Sequence, residues 1–93
     1  MFNPPHPGEI LKEDIIGALD LRMETTAKHL SISRKHLSNI CHGKNGLTAA
    51  LSIKLEKAFG APSAETWMKM QAAYDIWQAS QDDKNNILPI RAA

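Results

Sequence analysis

Six polar or basic residues stand close together between positions 33 and 39, and their side chains suit contact with base pairs. They are Ser33, Arg34, Lys35, His36, Ser38 and Asn39. Arginine and lysine can donate to O6 and N7 of guanine, and asparagine can pair bidentately with N6 and N7 of adenine. Serine hydroxyls and backbone N–H groups at a helix start can hold phosphates. If one helix presents these residues together, they predict contact with double-stranded DNA.

The spacing of apolar residues predicts a helix that would present this set. Ser33 is a favourable N-cap, and a helix over residues 34–41 would bury Leu37 and Ile40 and leave the polar residues outside. Gly43 stands where a left-handed residue commonly ends a helix. A helix of this kind can enter a major groove with its first residues at the base edges.

Another short helix, over residues 21–30, is predicted just before it, with Ala27 and Leu30 facing inward. The small side chain of Ala27 allows two helices to cross closely. The three residues that follow form a tight turn in which Ile32 is an apolar plug. Together the two helices and the turn predict a helix-turn-helix between about Thr25 and Gly43.

Charge is distributed unevenly along the chain. The formal net charge is only +1, which by itself gives no support to nucleic-acid binding. Between residues 22 and 44, however, one acid, Glu24, stands among the bases Arg22, Lys28, Arg34, Lys35 and Lys44. A local basic surface on a nearly neutral molecule is typical of a small DNA-binding domain. We therefore add Arg22 and Lys44 to the predicted DNA-binding residues.

Three further helices complete the predicted fold. The first follows Pro7 and would bury Ile10, Leu11, Ile15 and Ile16 before it ends near Gly17. The fourth is expected over residues 49–59 and a longer fifth over about 64–81. No strand-like alternation, repeat or linker is present, so the sequence predicts one all-α domain of five helices over residues 1–81, followed by a loose tail over 82–93.

The fifth predicted helix has more apolar residues than one buried stripe requires. Four of them recur at three- and four-residue spacing: Trp67, Met70, Tyr74 and Trp77. Core packing explains part of this stripe, but Met68, Ala72, Ala73, Ile76 and Ala79 widen it. We predict that the stripe forms a homodimer interface, since large apolar patches mark interfaces. A two-fold dimer would present two recognition helices about 34 Å apart to a palindromic operator.

Residues 26–40 resemble the helix-turn-helix of the Cro/C1, or XRE-like, repressor class, which implies a five-helix, lambda-repressor-like domain. Several other segments are similar to HigA-type antitoxins: residues 3–11, 43–48, 57–60 and the run from Trp67 to Trp77. The resemblance spans about residues 3–81. It implies a protein that represses its own operon as a dimer and neutralises a HigB-type toxin, a RelE-like messenger-RNA endonuclease. Four residues depart from the family pattern: Arg22, Met23, Thr26 and Ser31.

Other functions find little support in the sequence. Cys41 and His42, with His36 and His29 upstream, fit no zinc spacing, and no nucleophile–base arrangement or cofactor motif is evident. We therefore expect no enzyme activity, metal or cofactor. No signal peptide or apolar run of about 20 residues is present, so a cytoplasmic protein without a membrane partner is expected. Two alternatives remain open: a solitary Cro/C1-class regulator without a toxin, and a protein-interaction module without specific DNA binding.

Overall fold

The structure, a computed structural model, describes residues 3–82 and 87–91. These residues contain five helices and no β-strand. Helix α1 starts as an α-helical turn at Pro7–Ile10 and continues as a π-helical segment at Leu11–Gly17. The others are α2 (Met23–His29), α3 (Arg34–Cys41), α4 (Ala49–Phe59) and α5 (Ala64–Ser80). The predicted all-α, five-helix fold is confirmed, and the bounds predicted for α3 and α4 are correct.

The buried apolar core draws side chains from all five helices. Its members are Leu11, Ile16, Ala27, Leu30, Leu37, Ile40, Cys41, Leu47, Leu51, Leu55 and Trp67. Helix α3 packs against α1 and α2, while α5 contacts both α1 and α4. The predicted recognition helix is therefore supported on its inner side by two other helices, and α5 connects the two halves of the molecule.

The π-helical segment of α1 is the main departure from the predicted helices. The sequence predicts an ordinary α-helix here, because the apolar spacing is compatible with one. In the structure Leu11 and Ile16 are buried, whereas Ile10 and Ile15 are only half-buried. Hydrogen bonds from residue i to i+5 widen the helical turn, so two residues five positions apart come closer to the same face than in an α-helix.

Helix α2 is shorter than predicted and ends in a Schellman motif. The N–H of Ser31 donates to the Lys28 carbonyl (3.1 Å), and the N–H of Ile32 donates to the Ala27 carbonyl (3.0 Å). Ser31 itself has a φ of 57°, the left-handed conformation that glycine usually supplies at this position. Ser31 is one of the four residues that depart from the family pattern, and it nevertheless adopts the backbone conformation that the turn requires.

Only part of the predicted tail over residues 82–93 belongs to the residues that the structure describes. Residues 83–86 and 92–93 lie outside the described residues. Residues 87–91 have no regular secondary structure, and the side chains of Ile87, Leu88 and Ile90 are exposed. Among the described helices, none combines the length and apolar character that crossing a bilayer requires.

Candidate nucleic-acid interface

Helix α3 separates its apolar and polar residues onto opposite sides. Leu37, Ile40 and Cys41 are buried in the core. Arg34 and Lys35 are exposed on the other side, and the remaining predicted residues of this helix, His36, Ser38 and Asn39, are half-buried. The structure therefore brings the five predicted side chains of α3 together on one surface, where a ligand can reach them.

Ser33 fixes the start of this helix. Its Oγ accepts a hydrogen bond from the His36 N–H at 3.0 Å, and its backbone is extended, as expected of an N-cap. Because the oxygen acts as acceptor in this bond, the hydroxyl hydrogen can still be donated to a phosphate. The predicted capping role is confirmed, and it is compatible with the predicted phosphate contact.

The end of α3 places Lys44 beside the recognition helix. Gly43 has a φ of 75°, and its N–H donates to the Ile40 carbonyl at 3.1 Å. The Lys44 N–H donates to the Asn39 carbonyl at 2.8 Å. These two bonds form a Schellman motif, which requires the left-handed residue that glycine supplies at little cost. The exposed Lys44 is thus three residues beyond the end of α3, and its backbone N–H is bonded to the Asn39 carbonyl of that helix.

Glu24 of α2 lies opposite Arg34, a contact that the sequence analysis missed. Arg34 Nη1 is 3.5 Å from Glu24 Oε1, and the two side chains are 66% and 76% exposed. An exposed ion pair of this kind contributes little to stability. The sequence shows Glu24 only as the one acid among the bases, because its register relative to Arg34 depends on how α2 and α3 pack.

Arg22 occupies the N-cap position of α2 without a side-chain cap. Its backbone is extended and its side chain is exposed. The hydroxyl of buried Thr26 donates to the Arg22 carbonyl at 2.8 Å, which satisfies the polar group of this buried side chain. The predicted DNA-binding residue Arg22 is therefore accessible at the positive end of the helix that precedes the turn.

Gln71 is a buried polar residue to which the sequence analysis gave no role. The Leu47 N–H donates to Gln71 Oε1 at 2.8 Å, and Gln71 Nε2 donates to Asp75 Oδ1 at 2.9 Å. Its side chain thus joins α5 to the turn after the recognition helix. The sequence does hold a clue, since a glutamine four residues after Trp67 falls on the buried stripe of α5.

His6 joins the N-terminal segment to α1 and α5. Its Nδ1 accepts from the Gly8 N–H at 2.9 Å, and its ring meets Tyr74 edge-on with centroids 4.8 Å apart. Burial lowers the pKa of His6 below its ordinary value, although the charges of Asp75 and Glu9 oppose this shift. His6 is therefore a capping and packing residue.

The surroundings of Cys41 and His42 indicate structural roles for both residues and no role in catalysis. Burial raises the pKa of the Cys41 thiol, which opposes formation of the nucleophilic thiolate. His42 Nδ1 lies 2.8 Å from the Ser38 carbonyl, so with a proton on that nitrogen it donates to the end of α3. In residues 3–82 and 87–91, no group of three or more His, Cys, Asp or Glu side chains is placed to hold a metal ion.

The chain is similar in sequence to proteins of several bacteria. Virulence-associated protein A′ of Dichelobacter nodosus is 41% identical over 90 residues, covering 95% of this chain and 77% of the relative. An HTH-type transcriptional regulator of Haemophilus influenzae is 30% identical over 81 residues, covering 87% and 75%. No protein-family model matches the chain.

The chain belongs to the XRE-like helix-turn-helix family. Its fold is that of antitoxins and DNA-binding regulators of this family. A Pseudomonas aeruginosa protein in complex with its 18-base-pair operator superimposes with a TM-score of 0.79 at 29% identity, covering 96% of this chain and 97% of that one. Antitoxin HigA of Pseudomonas aeruginosa with the higBA promoter gives a TM-score of 0.81 at 28% identity, covering 95% and 99%.

For this member of the XRE-like family, the predicted dimer surface on α5 must be corrected at one residue. The side chain of Trp67 is 0% exposed, so it belongs to the core of one protomer and can add no area to an interface. Its indole N–H has no hydrogen-bond partner among the described residues. Met70, Tyr74 and Trp77 are half-buried and remain candidates, while Ile76 is 71% exposed.

Proposed function

We propose that the chain is an antitoxin that represses its own operon as a homodimer and neutralises a HigB-type, RelE-like messenger-RNA endonuclease. The observation that carries the proposal is the outer surface of α3, where Arg34, Lys35 and Asn39 lie together at the accessible side of a helix-turn-helix. In the proposed complex Arg34 and Asn39 contact base edges, and Ser33 and Lys44 contact phosphates. The similarity in fold to antitoxin HigA of Pseudomonas aeruginosa, whose structure contains the higBA promoter, supports this use.

The first experiment measures binding to DNA. Fluorescence anisotropy with the duplex upstream of the chain's own gene, at about 0.15 M salt, is compared with a scrambled duplex of equal length. We expect tighter binding to the upstream duplex, and loss of that preference in an Arg34→Ala, Lys35→Ala, Asn39→Ala triple variant. Lys54→Ala and Lys57→Ala, both exposed on α4, serve as the matched charge control. Absence of any preference in the wild type would leave the protein-interaction module as the better explanation.

The second experiment tests the toxin. A tagged copy of this chain is expressed together with the reading frames that adjoin its gene, and the copurifying protein is assayed for ribosome-dependent cleavage of messenger RNA. We expect a small partner whose toxicity to growing cells disappears when the tagged chain is present. If no neighbouring product binds or is toxic, the solitary regulator replaces the antitoxin. The similarity to an HTH-type transcriptional regulator favours that second candidate.

A further inference from the structure

The turn between α3 and α4 is held at both of its ends. At its start, the Lys44 N–H is bonded to the Asn39 carbonyl of the recognition helix. At its end, the Leu47 N–H is bonded to Gln71 of α5. Lys44 is thus the exposed cation of a short segment whose two ends are fixed to different helices.

The Gln71 side chain is itself held in one orientation. It is 5% exposed, its oxygen accepts from Leu47, and its nitrogen donates to Asp75. The bond to a carboxylate assigns the amide orientation, because only the nitrogen can donate to Asp75. A Cβ built on Gly46 would lie 3.0 Å from Gln71 Nε2, so the turn passes directly over the amide.

We propose that Gln71 is a positioning residue for DNA binding, which holds the turn of residues 43–47 so that Lys44 reaches the phosphate backbone. This inference rests on the proposed function. Core packing alone does not account for the residue, since an apolar side chain would fill the same volume without needing partners. A buried amide with both polar atoms bonded specifies one arrangement of the groups that it joins.

The test uses Gln71→Met, which keeps the length of the side chain and removes both hydrogen bonds. Binding to the upstream duplex and to a scrambled duplex is measured over a series of salt concentrations. We expect affinity to fall about 3- to 10-fold for both duplexes alike, and the salt dependence to decrease by about one phosphate contact per half-site. Gln78→Met, the same change at an exposed position of α5, should bind as the wild type does.

A double-mutant cycle separates positioning from a general loss of folding. If Gln71 acts through Lys44, then Gln71→Met should change affinity by less than about twofold in a Lys44→Ala background. A loss that persists undiminished in that background would overturn the inference, as would wild-type affinity and salt dependence in Gln71→Met itself. The amide proton of Leu47 should also shift upfield and exchange faster in Gln71→Met.

A swap of the two side-chain groups provides the rescue. Gln71→Glu alone keeps an acceptor for the Leu47 N–H but places two carboxylates side by side, so it should weaken binding. Gln71→Glu with Asp75→Asn restores a hydrogen bond between the two positions in the reverse direction, because the asparagine amide can donate to the glutamate. Recovery of affinity in the pair supports the inference, and failure to recover in a folded pair counts against it. Phosphate contacts are independent of sequence, so these measurements remain decisive even if the wild type shows no preference for the upstream duplex.

Discussion

At the scale of single residues, α3 and the turn after it contain two kinds of position. Arg34 and Asn39 carry side chains that can distinguish base pairs, whereas Lys44 follows the helix and suits the phosphate backbone. Glu24 of α2 lies beside these residues, and its carboxylate is paired with Arg34. Direct contact with bases and contact with phosphates have different consequences for specificity, and substitutions can separate them.

The first prediction concerns that separation. Arg34→Ala and Asn39→Ala should each reduce discrimination at particular base pairs by about 1–3 kcal/mol, since each removes a possible bidentate contact. Lys44→Ala should weaken binding to all sequences alike and lower the salt dependence. Competition binding with a set of single-base operator variants measures both effects. Uniform weakening by Arg34→Ala would mean that this side chain contacts only phosphate.

The second prediction concerns His6 and pH. Its folded pKa lies below the ordinary value of 6.5 because the ring is buried, so the unfolded chain binds more protons than the folded one as pH falls through that value. The free energy of unfolding should therefore rise between about pH 5 and about pH 7. Urea unfolding at several pH values measures the slope.

The matched variant for this experiment is His6→Asn. Asparagine is a good N-cap whose side-chain oxygen can accept from the Gly8 N–H without titrating. The pH slope should be smaller in His6→Asn than in the wild type. An equal slope would assign the pH dependence to other groups.

At the scale of elements, the contact between α1 and α3 sets the position of the recognition helix. Gly8 lies so close to α3 that a Cβ there would overlap the carbonyl of Ile40. This approach brings the start of α1 against the back of the surface that carries Asn39. The absence of a side chain at Gly8 is therefore a requirement of the helix packing.

Gly8→Ala should accordingly separate α1 from α3. We expect a loss of unfolding free energy of about 1–3 kcal/mol or more, because backbone atoms must move to relieve the overlap. Chemical denaturation measures the loss, and Glu9→Ala, an exposed change in the same helical turn, should stay within about 0.5 kcal/mol of the wild type. Wild-type stability in Gly8→Ala would show that the two helices can move apart freely.

At the scale of the whole molecule, α5 connects the predicted functional surfaces. Its inner side supplies Trp67 to the core and Gln71 to the turn after α3, and its neighbouring side carries Tyr74 and Trp77, whose rings lie 6.2 Å apart. A homodimer formed through this second side would have its interface on α5. In each protomer, α1 contacts both α5 and the recognition helix α3. The proposed dimer thus depends on aromatic side chains that one protomer leaves half-buried.

The last prediction is that Trp77→Ala weakens the dimer at least about tenfold, since buried aromatic residues contribute most to protein interfaces. Sedimentation equilibrium measures the dissociation constant, and far-UV circular dichroism checks that the monomer stays folded. Leu19→Ala removes another exposed apolar side chain, from the segment after α1, and should leave the dimer unchanged. An unaltered constant in Trp77→Ala would move the interface to another surface.

The sequence by itself determined the bounds of α3 and α4 and the polar outer surface of α3. Capping residues and apolar spacing act over three or four residues, so Ser33 and Gly43 mark the limits of the recognition helix without any knowledge of its neighbours. The same local information predicted α4 and the presence of one long last helix.

Only the tertiary structure decided which side of each element meets which neighbour. Leu47 and Gln71 are bonded across 24 positions in the sequence, and the pairing of Glu24 with Arg34 depends on how two helices cross. The burial of Trp67, which the spacing alone assigned to the dimer surface, follows from where α4 and α1 pack on α5. Periodicity identifies the apolar side of a helix, but the partner that covers it is set by contacts between distant parts of the chain.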